Sequence, residues 1–481
     1  MKRLTALLIT VAVLAGLVAA CAPTPEVVEK VVKETVVVEK EVEVEVTKVV
    51  AGTPETVVVT ATPVPPPPET EKPTGHIVVW GWNSAMRDTI EASGVLADFQ
   101  AEYPDIEVEI VYYAPADVYT NLPLALTAGE GAPDVCLVEN SHLAEYVHLG
   151  GLLDLTDRVQ PYLDKMNDYK WYDCEKDGKY YCLPWDSGPV VMYYRRDVFE
   201  AAGLPTDPDE VSATIATWGD YLEACRTIKE KTGAYCFAHN KANNFGRLYE
   251  MVLWQQGLGY YDPDTGEVTA DSAENIETLE MLGQFWEEDL VSDALEWQDP
   301  WYAELGTVNL EDQPIATLLE ASWMDVFLKS WIAPGTAGKW GVAYMPVVEE
   351  GGVRASNDGG SVFVIPEQTK NPDAAWAFVE FCLGRDQSQL KLFAISGFIP
   401  SLETTYDDAL FLGGDSFFAG QNTRKIYADV VAEIPRAGVY GPDYNMMNGA
   451  VMVGIQRYAA GEVTADEALK EAAAEIRANL E

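Results

Sequence analysis

Two extended runs stand back to back in residues 177–205, DGKYYCLPWDSGPVVMYYRRDVFEAAGLP, and the way they are interrupted limits what this chain can fold into. Asp177-Gly178 is a turn signal, because glycine tolerates positive φ and aspartate hydrogen-bonds its own backbone. Residues 180–183 read as a strand. Pro184 has no N–H for a ladder, so it is expected to end or expose that strand. A polar Asp186-Ser187-Gly188 loop follows, then a second apolar strand over 190–194. Asp197 is expected to cap a short helix, 198–202, that stops at Gly203. A strand that breaks, passes a polar loop and resumes is what a chain does on leaving one lobe and entering another.

The length, 481 residues, is too great for one ordinary domain and suits two lobes plus appendages. Hydrophobic residues make up 48%, enough for real cores. With 77 acidic and 32 basic residues the formal charge is −45, which repels nucleic-acid phosphates and anionic lipid. No nucleic-acid partner is expected, and the excess reads as a solvated acidic surface.

Lys2-Arg3 followed by an apolar run over 4–17 is an export signal, too short for a membrane anchor. It closes on Val18-Ala19-Ala20-Cys21, which resembles a bacterial lipobox, so 1–21 is expected as a lipoprotein signal peptide with Cys21 taking the lipid. A doubly acylated cysteine with a further amide-linked chain is enough for stable anchoring. Residues 22–74 are low-complexity: valine alternating with charge, then Pro65-Pro66-Pro67-Pro68. The alternation is strand-like but offers no core of its own. The segment is expected as a tether reaching about 150 Å at ~3 Å per residue.

From His76 the pattern becomes strand, helix, strand, which implies a parallel sheet. In such sheets ligands sit beyond the carboxyl ends of the strands. Trp82 and Asn83 follow the strand that starts at His76, and Glu139 and Asn140 follow the strand read over 132–138, so these four are ligand candidates.

The stretch 177–205 also resembles the extracellular solute-binding proteins of ABC importers, family 1, in their sugar-binding branch. The family's DGKxYGLP, apolar strand, YYN+D and AGL-P are matched by Asp177-Gly178-Lys179, Tyr181-Cys182-Leu183-Pro184, Tyr193-Tyr194-Arg195-Arg196-Asp197 and Ala202-Gly203-Leu204-Pro205. Cys182 stands for the usual glycine and Arg195 for the usual asparagine. Lys370-Asn371-Pro372-Asp373-Ala374-Ala375-Trp376 is similar to the family's KNPEAAW. The resemblance implies an α/β fold of the two-lobed periplasmic-binding-protein type (type II). Its two mixed sheets are flanked by helices and joined by a hinge of about three crossings. The N-terminal lobe is expected over 76–184 plus 347–400, and the C-terminal lobe over 189–340 plus 404–481. It also implies ligand roles for Trp254 near the family's W-x-x-G-G, for Trp323 in its G-x-W loop, for the pair Gly359 and Gly360, and for Tyr444 in a late loop, while Asp186 is a candidate as a carboxylate able to take hydroxyls. In that G-x-W loop Ser322 departs from the family pattern.

Seven cysteines less Cys21 leave six in an exported chain, where disulfides are allowed. Cys174 and Cys182 flank the Asp177-Gly178 turn, Cys225 and Cys236 stand across a helix end, and Cys136 and Cys382 remain, both placed in the first lobe. Three bridges are expected. The four histidines form no metal pattern, and there is no nucleophile elbow or P-loop, so no metal, cofactor or catalytic residue is expected. Asp262–Glu267 begins like a calcium loop but lacks ligands further on, and reads as a turn.

The expected function is capture of a sugar or oligosaccharide between two closing lobes by a monomer, anchored on the outer face of the cytoplasmic membrane, which hands the solute to an ABC permease. Trp faces suit the C–H faces of sugar rings, and carboxylates and amides suit the hydroxyls. The charge raises a binder of cationic solutes such as polyamines as an alternative. Abundant carboxylate pairs raise a second from another class, an extracellular glycan-acting hydrolase.

Overall fold

The computed structural model describes residues 43–50, 53–60, 72–82, 85–239 and 245–481. Residues 1–71 and 72–481 form two separate units. In the first, Glu43–Val50 pairs antiparallel with Thr53–Thr60, so part of the expected tether is a two-stranded ribbon. Cys21 and the expected signal peptide lie outside the described residues.

The second unit is built on two sheets with separate hydrophobic cores. In the first sheet the strand order is Ile399–Pro400, Cys182–Ser187, Ser361–Val364, Val135–Glu139, Gly75–Trp82, Ile106–Tyr113. The last three run parallel, as the strand-helix-strand pattern requires, and the others pair antiparallel. Ile77, Val79, Leu137, Phe363 and Phe378 fill its core. The second sheet centres on Val190–Arg195, with Thr317–Ala321 and Trp340–Ala343 antiparallel on either side. The N–H groups of Ala316 and Thr317 donate to the carbonyls of Tyr235 and Cys236, which extends this sheet. Its core holds Val191, Tyr193, Trp218, Tyr221 and Leu248.

Helix Trp218–Thr232 shows how local chemistry sets the elements of the second lobe. Thr217 Oγ1 accepts from the Asp220 N–H at 3.1 Å and the Asp220 carboxylate accepts from the Thr217 N–H at 2.9 Å, a reciprocal cap on the first turn. Trp218, Tyr221, Leu222, Cys225 and Ile228 form its buried stripe, and Gly233 stops it at φ 73°.

The chain passes between the cores beside Gly188, at 357–360 and after Pro400. The three passages are bonded together. Val190 N–H donates to Ser356 O (3.0 Å), Asp358 N–H to Gly188 O (2.9 Å) and Ser401 N–H to Trp185 O (2.8 Å). The middle passage comes later than the lobe boundary expected at 347. Residues 344–356 stay on the second core, where Met345 and Ala355 are buried and Arg354 donates to the carbonyls of Ser212, Ile215, Tyr344 and Met345.

Three further expectations are corrected. Pro184 does not end its strand. Cys182–Ser187 runs through it, because the register shifts between Ser361 and Val362 on the facing strand, at the residue paired with Pro184. Asp197 is not a cap but lies in the first turn of Arg196–Ala202, where both its oxygens accept from Arg195 at 2.8 Å. Cys174–Cys182 and Cys225–Cys236 are disulfides, but Cys136 and Cys382 are free thiols buried in the first core. Cys136 is a strand residue whose thiol donates to Leu137 O, and Cys382 belongs to the buried face of helix Pro372–Leu383. Each acts as a small apolar filler.

Candidate functional site

Between the two cores lies a cleft of about 320 Å³, lined by Trp82, Glu139, Asp186, Arg247, Trp323, Phe327, Asp358, Gly359, Gly360, Ser361 and Phe398. Six of the ten residues expected at a ligand are here: Trp82, Glu139, Asp186, Trp323, Gly359 and Gly360. Trp82 and Glu139 end parallel strands, as the strand-end rule requires. Asn83 lies outside the described residues.

Gly359 and Gly360 make the turn that brings the middle passage under the cleft, at φ 77° and 91°. A Cβ on Gly360 would stand 2.7 Å from Lys170 Nζ and 2.9 Å from Asp186 O, so only glycine fits. Trp323 Nε1–H donates to Asp358 O at 3.1 Å, which pins the indole over this turn. Tyr440 supports it from behind, its hydroxyl accepting from the Gly359 N–H at 3.3 Å.

Beneath the floor is a buried cation. Lys170 is fully buried and donates to Asn140 Oδ1 and Ser361 O. Burial lowers its pKa to about 8, against the pull of Asp186, Asp173 and Glu139. Asp186 accepts from the Ser361 N–H at 2.9 Å and from the Ser361 hydroxyl. Burial raises the Glu139 carboxyl to about 7, with Asp358 adding to the shift and Ser141, which donates at 2.8 Å, opposing it.

The opposite wall holds a second cation. Arg247 reaches Glu296 at 3.2 Å, Glu320 at 2.7 Å and Asp358, and its guanidinium lies 5.4 Å from the Trp323 ring. Glu296 and Glu320 are buried, and burial raises both carboxyls. Trp82 Nε1 is buried and has no hydrogen-bond partner among the described residues. Asn445 Nδ2 donates to Glu145 Oε2 at 2.8 Å, from a helix of one lobe to a helix of the other.

Three expected residues are not in the lining. Asn140 is buried below the floor as the acceptor for Lys170. Trp254 packs in the second core, its Nε1–H donating to Pro435 O at 2.9 Å and its ring 4.9 Å from Tyr440. Tyr444 donates to Glu250 behind the cleft, at 3.2 Å. Arg247, Phe327, Asp358, Ser361 and Phe398 line the cleft without having been expected. Phe327 carried a signal, one helical turn from Trp323. Arg247 carried none, since its partners come from three distant segments.

Two lobes around a cleft at the strand ends are the architecture that known relatives share. The family described as bacterial extracellular solute-binding protein matches residues 84–389. The chain belongs to this family. An arabinooligosaccharide-binding protein of Halalkalibacterium halodurans is 29% identical over 84% of this chain and 90% of its own. A lactose-binding protein of Rhizobium radiobacter is 27% identical over 82% and 91%. A crystal structure of an extracellular solute-binding protein family 1 member superposes with TM-score 0.72 at 23% identity, over 84% of this chain and 99% of that one. Maltose-bound T. maritima MalE3 superposes with TM-score 0.68 at 20% identity, over 84% and 99%. The family member thus has the two-lobed α/β periplasmic-binding-protein fold. Among its described residues no helix is long and apolar enough to cross a membrane.

Proposed function

We propose that this solute-binding protein captures a sugar or oligosaccharide in the cleft and delivers it to the permease of an ABC importer. The observation that carries the proposal is that Trp82 and Trp323, one from each lobe, line a single cleft together with the carboxylates of Glu139, Asp186 and Asp358. Indole faces cover the C–H faces of a sugar ring, and Glu139, Asp186 and Asp358 accept from its hydroxyls. The relatives named as binding arabinooligosaccharide and lactose support the same reading, and offer none for a hydrolase.

The mechanism is closure. The three passages form a narrow hinge, and a ligand touching both walls favours the closed form by its additional contacts there. Asn445–Glu145 is a lobe-to-lobe contact that closure makes and opening breaks. Ligand-side work falls to Trp82, Glu139, Asp186, Trp323, Gly359 and Gly360, joined by Arg247 and Asp358. Export, a lipid on Cys21, the 22–74 tether and a monomeric state complete the proposal. The lobes are 76–184 plus 357–400 and 189–356 plus 404–481.

A thermal-shift panel of arabino-oligosaccharides, lactose, maltotriose and polyamines tests the reading. A ligand at about a hundred times its dissociation constant stabilises by roughly 2.7 kcal/mol. Trp323→Ala is expected to remove that stabilisation, and an unchanged shift takes Trp323 out of the site. A polyamine response that collapses with added salt would replace the sugar by a cation. Release of reducing ends from a bound oligosaccharide would make the protein an enzyme.

A further inference from the structure

The cleft does not end at Trp323. Trp323, Phe327 and Trp331 stand four residues apart on one helical run, with ring centroids 5.8 Å and 6.0 Å apart in sequence order. From Leu328 to Ile332 that run widens to an i→i+5 turn, closed by Ala333 N–H donating to Leu328 O at 3.0 Å. The wider turn rotates each residue less, which holds Trp331 near the side of Trp323. Trp297, from another segment, meets all three rings: Trp323 at 6.1 Å and 28°, Phe327 at 6.0 Å, Trp331 at 6.3 Å and 33°.

Trp323 and Phe327 line the cleft, whereas Trp297 is 36% and Trp331 50% exposed. Trp297 holds φ at +62°, a conformation bulky side chains rarely adopt. Its neighbour Glu296 turns inward to Arg247 while Trp297 turns out. Such strain persists where the surroundings enforce it, and it gathers at binding sites.

We propose that Trp297 and Trp331 form an outer subsite, on which further rings of an oligosaccharide lie once its first rings occupy the cleft. This deepens the sugar-binding reading and rests on it. The strip is continuous with the cleft through Trp323 and Phe327. The Trp297 plane lies 28° from that of Trp323 and 33° from that of Trp331, an alignment that suits successive sugar faces. The cleft's volume is near the lower end of the roughly 300–1,000 Å³ usual for ligand sites, so a longer chain must emerge from it. The ligand class is therefore a neutral oligosaccharide long enough to leave the cleft.

Calorimetric titration of the full chain with arabino-oligosaccharides and malto-oligosaccharides of increasing length is the test. In the better series, affinity is expected to rise about threefold to tenfold for the rings that reach the strip. Trp331→Ala and Trp297→Gly, the latter keeping a residue at ease with positive φ, are expected to remove that rise and leave the shortest binder's affinity unchanged. Short sugars binding with a length profile identical in wild type and both variants would overturn the subsite and spare the cleft assignment. A concentration-dependent dimer in sedimentation, lost in Trp331→Ala, would give the strip to a second copy of the chain instead. No binding by either series would overturn both the subsite and the sugar reading.

Discussion

The two walls of the cleft each carry one cation among carboxylates, and they use it differently. Under the first-lobe wall Lys170 is fully buried, with its donors spent on Asn140 and Ser361. On the second-lobe wall the Arg247 side chain is 30% exposed, forks onto Glu296, Glu320 and Asp358, and lies against Trp323. A buried ammonium can only hold protein together. A half-open guanidinium over an indole also meets whatever enters. Lys170 is therefore scaffold beneath the floor, whereas Arg247 belongs to the recognition surface of its wall.

Removing the buried cation gives the largest expected effect. Lys170→Met leaves Asp186 and Asp173 without their compensating charge, and breaking a buried pair in this way costs about 3–5 kcal/mol. Denaturant unfolding of the variant measures it. A loss below about 1 kcal/mol would mean that the floor does not depend on Lys170, and the contrast between the walls would fail. Arg247→Lys keeps the charge but loses the fork, so about 1.5–3 kcal/mol of charged hydrogen bonding goes. Here affinity for the ligand found by the panel is expected to fall along with stability. A stability loss with unchanged affinity would make Arg247 scaffold too.

What was legible in the sequence follows local chemistry. The Asp177-Gly178 turn has both residues at positive φ, 55° and 76°, the conformation that a type I′ two-residue hairpin loop needs and that Asp-Gly favours. Trp82 and Glu139 were readable because a strand's end determines where its last side chain stands. Gly359-Gly360 was readable because glycine costs entropy unless a close approach needs it. The failures share a cause, which is that distant partners decided them. Trp254 has the same helix-end setting whether it faces cleft or core, and a carbonyl 181 residues away, that of Pro435, draws it inward. Asn140 follows a strand just as Glu139 does, but Lys170, 30 residues on, claims its side chain. Pairing Cys136 with Cys382 rested on their being the two left over. Counting carries no distance, and both thiols are buried apart from any bridge.

The smallest expected effect concerns Glu139, a carboxyl in the cleft lining. Glu139 has its pKa raised from 4.5 to about 7 by burial. Below 4.5 the group is protonated in both folded and unfolded chains and contributes no pH dependence. Between 4.5 and 7 the unfolded chain ionises while the folded one holds its proton, so stability falls as pH rises through this window and levels off above it. Glu139→Gln cannot ionise. Its stability relative to wild type is therefore expected to improve from pH 4.5 to 7 and then stay flat, read as a difference between two pH series of thermal unfolding. A sugar hydroxyl donating to Glu139 favours the ionised form, so saturating ligand should move the inflection to lower pH. An inflection that ligand leaves in place would separate Glu139 from the ligand and return it to the scaffold beside Lys170, which would put recognition on the aromatic wall alone.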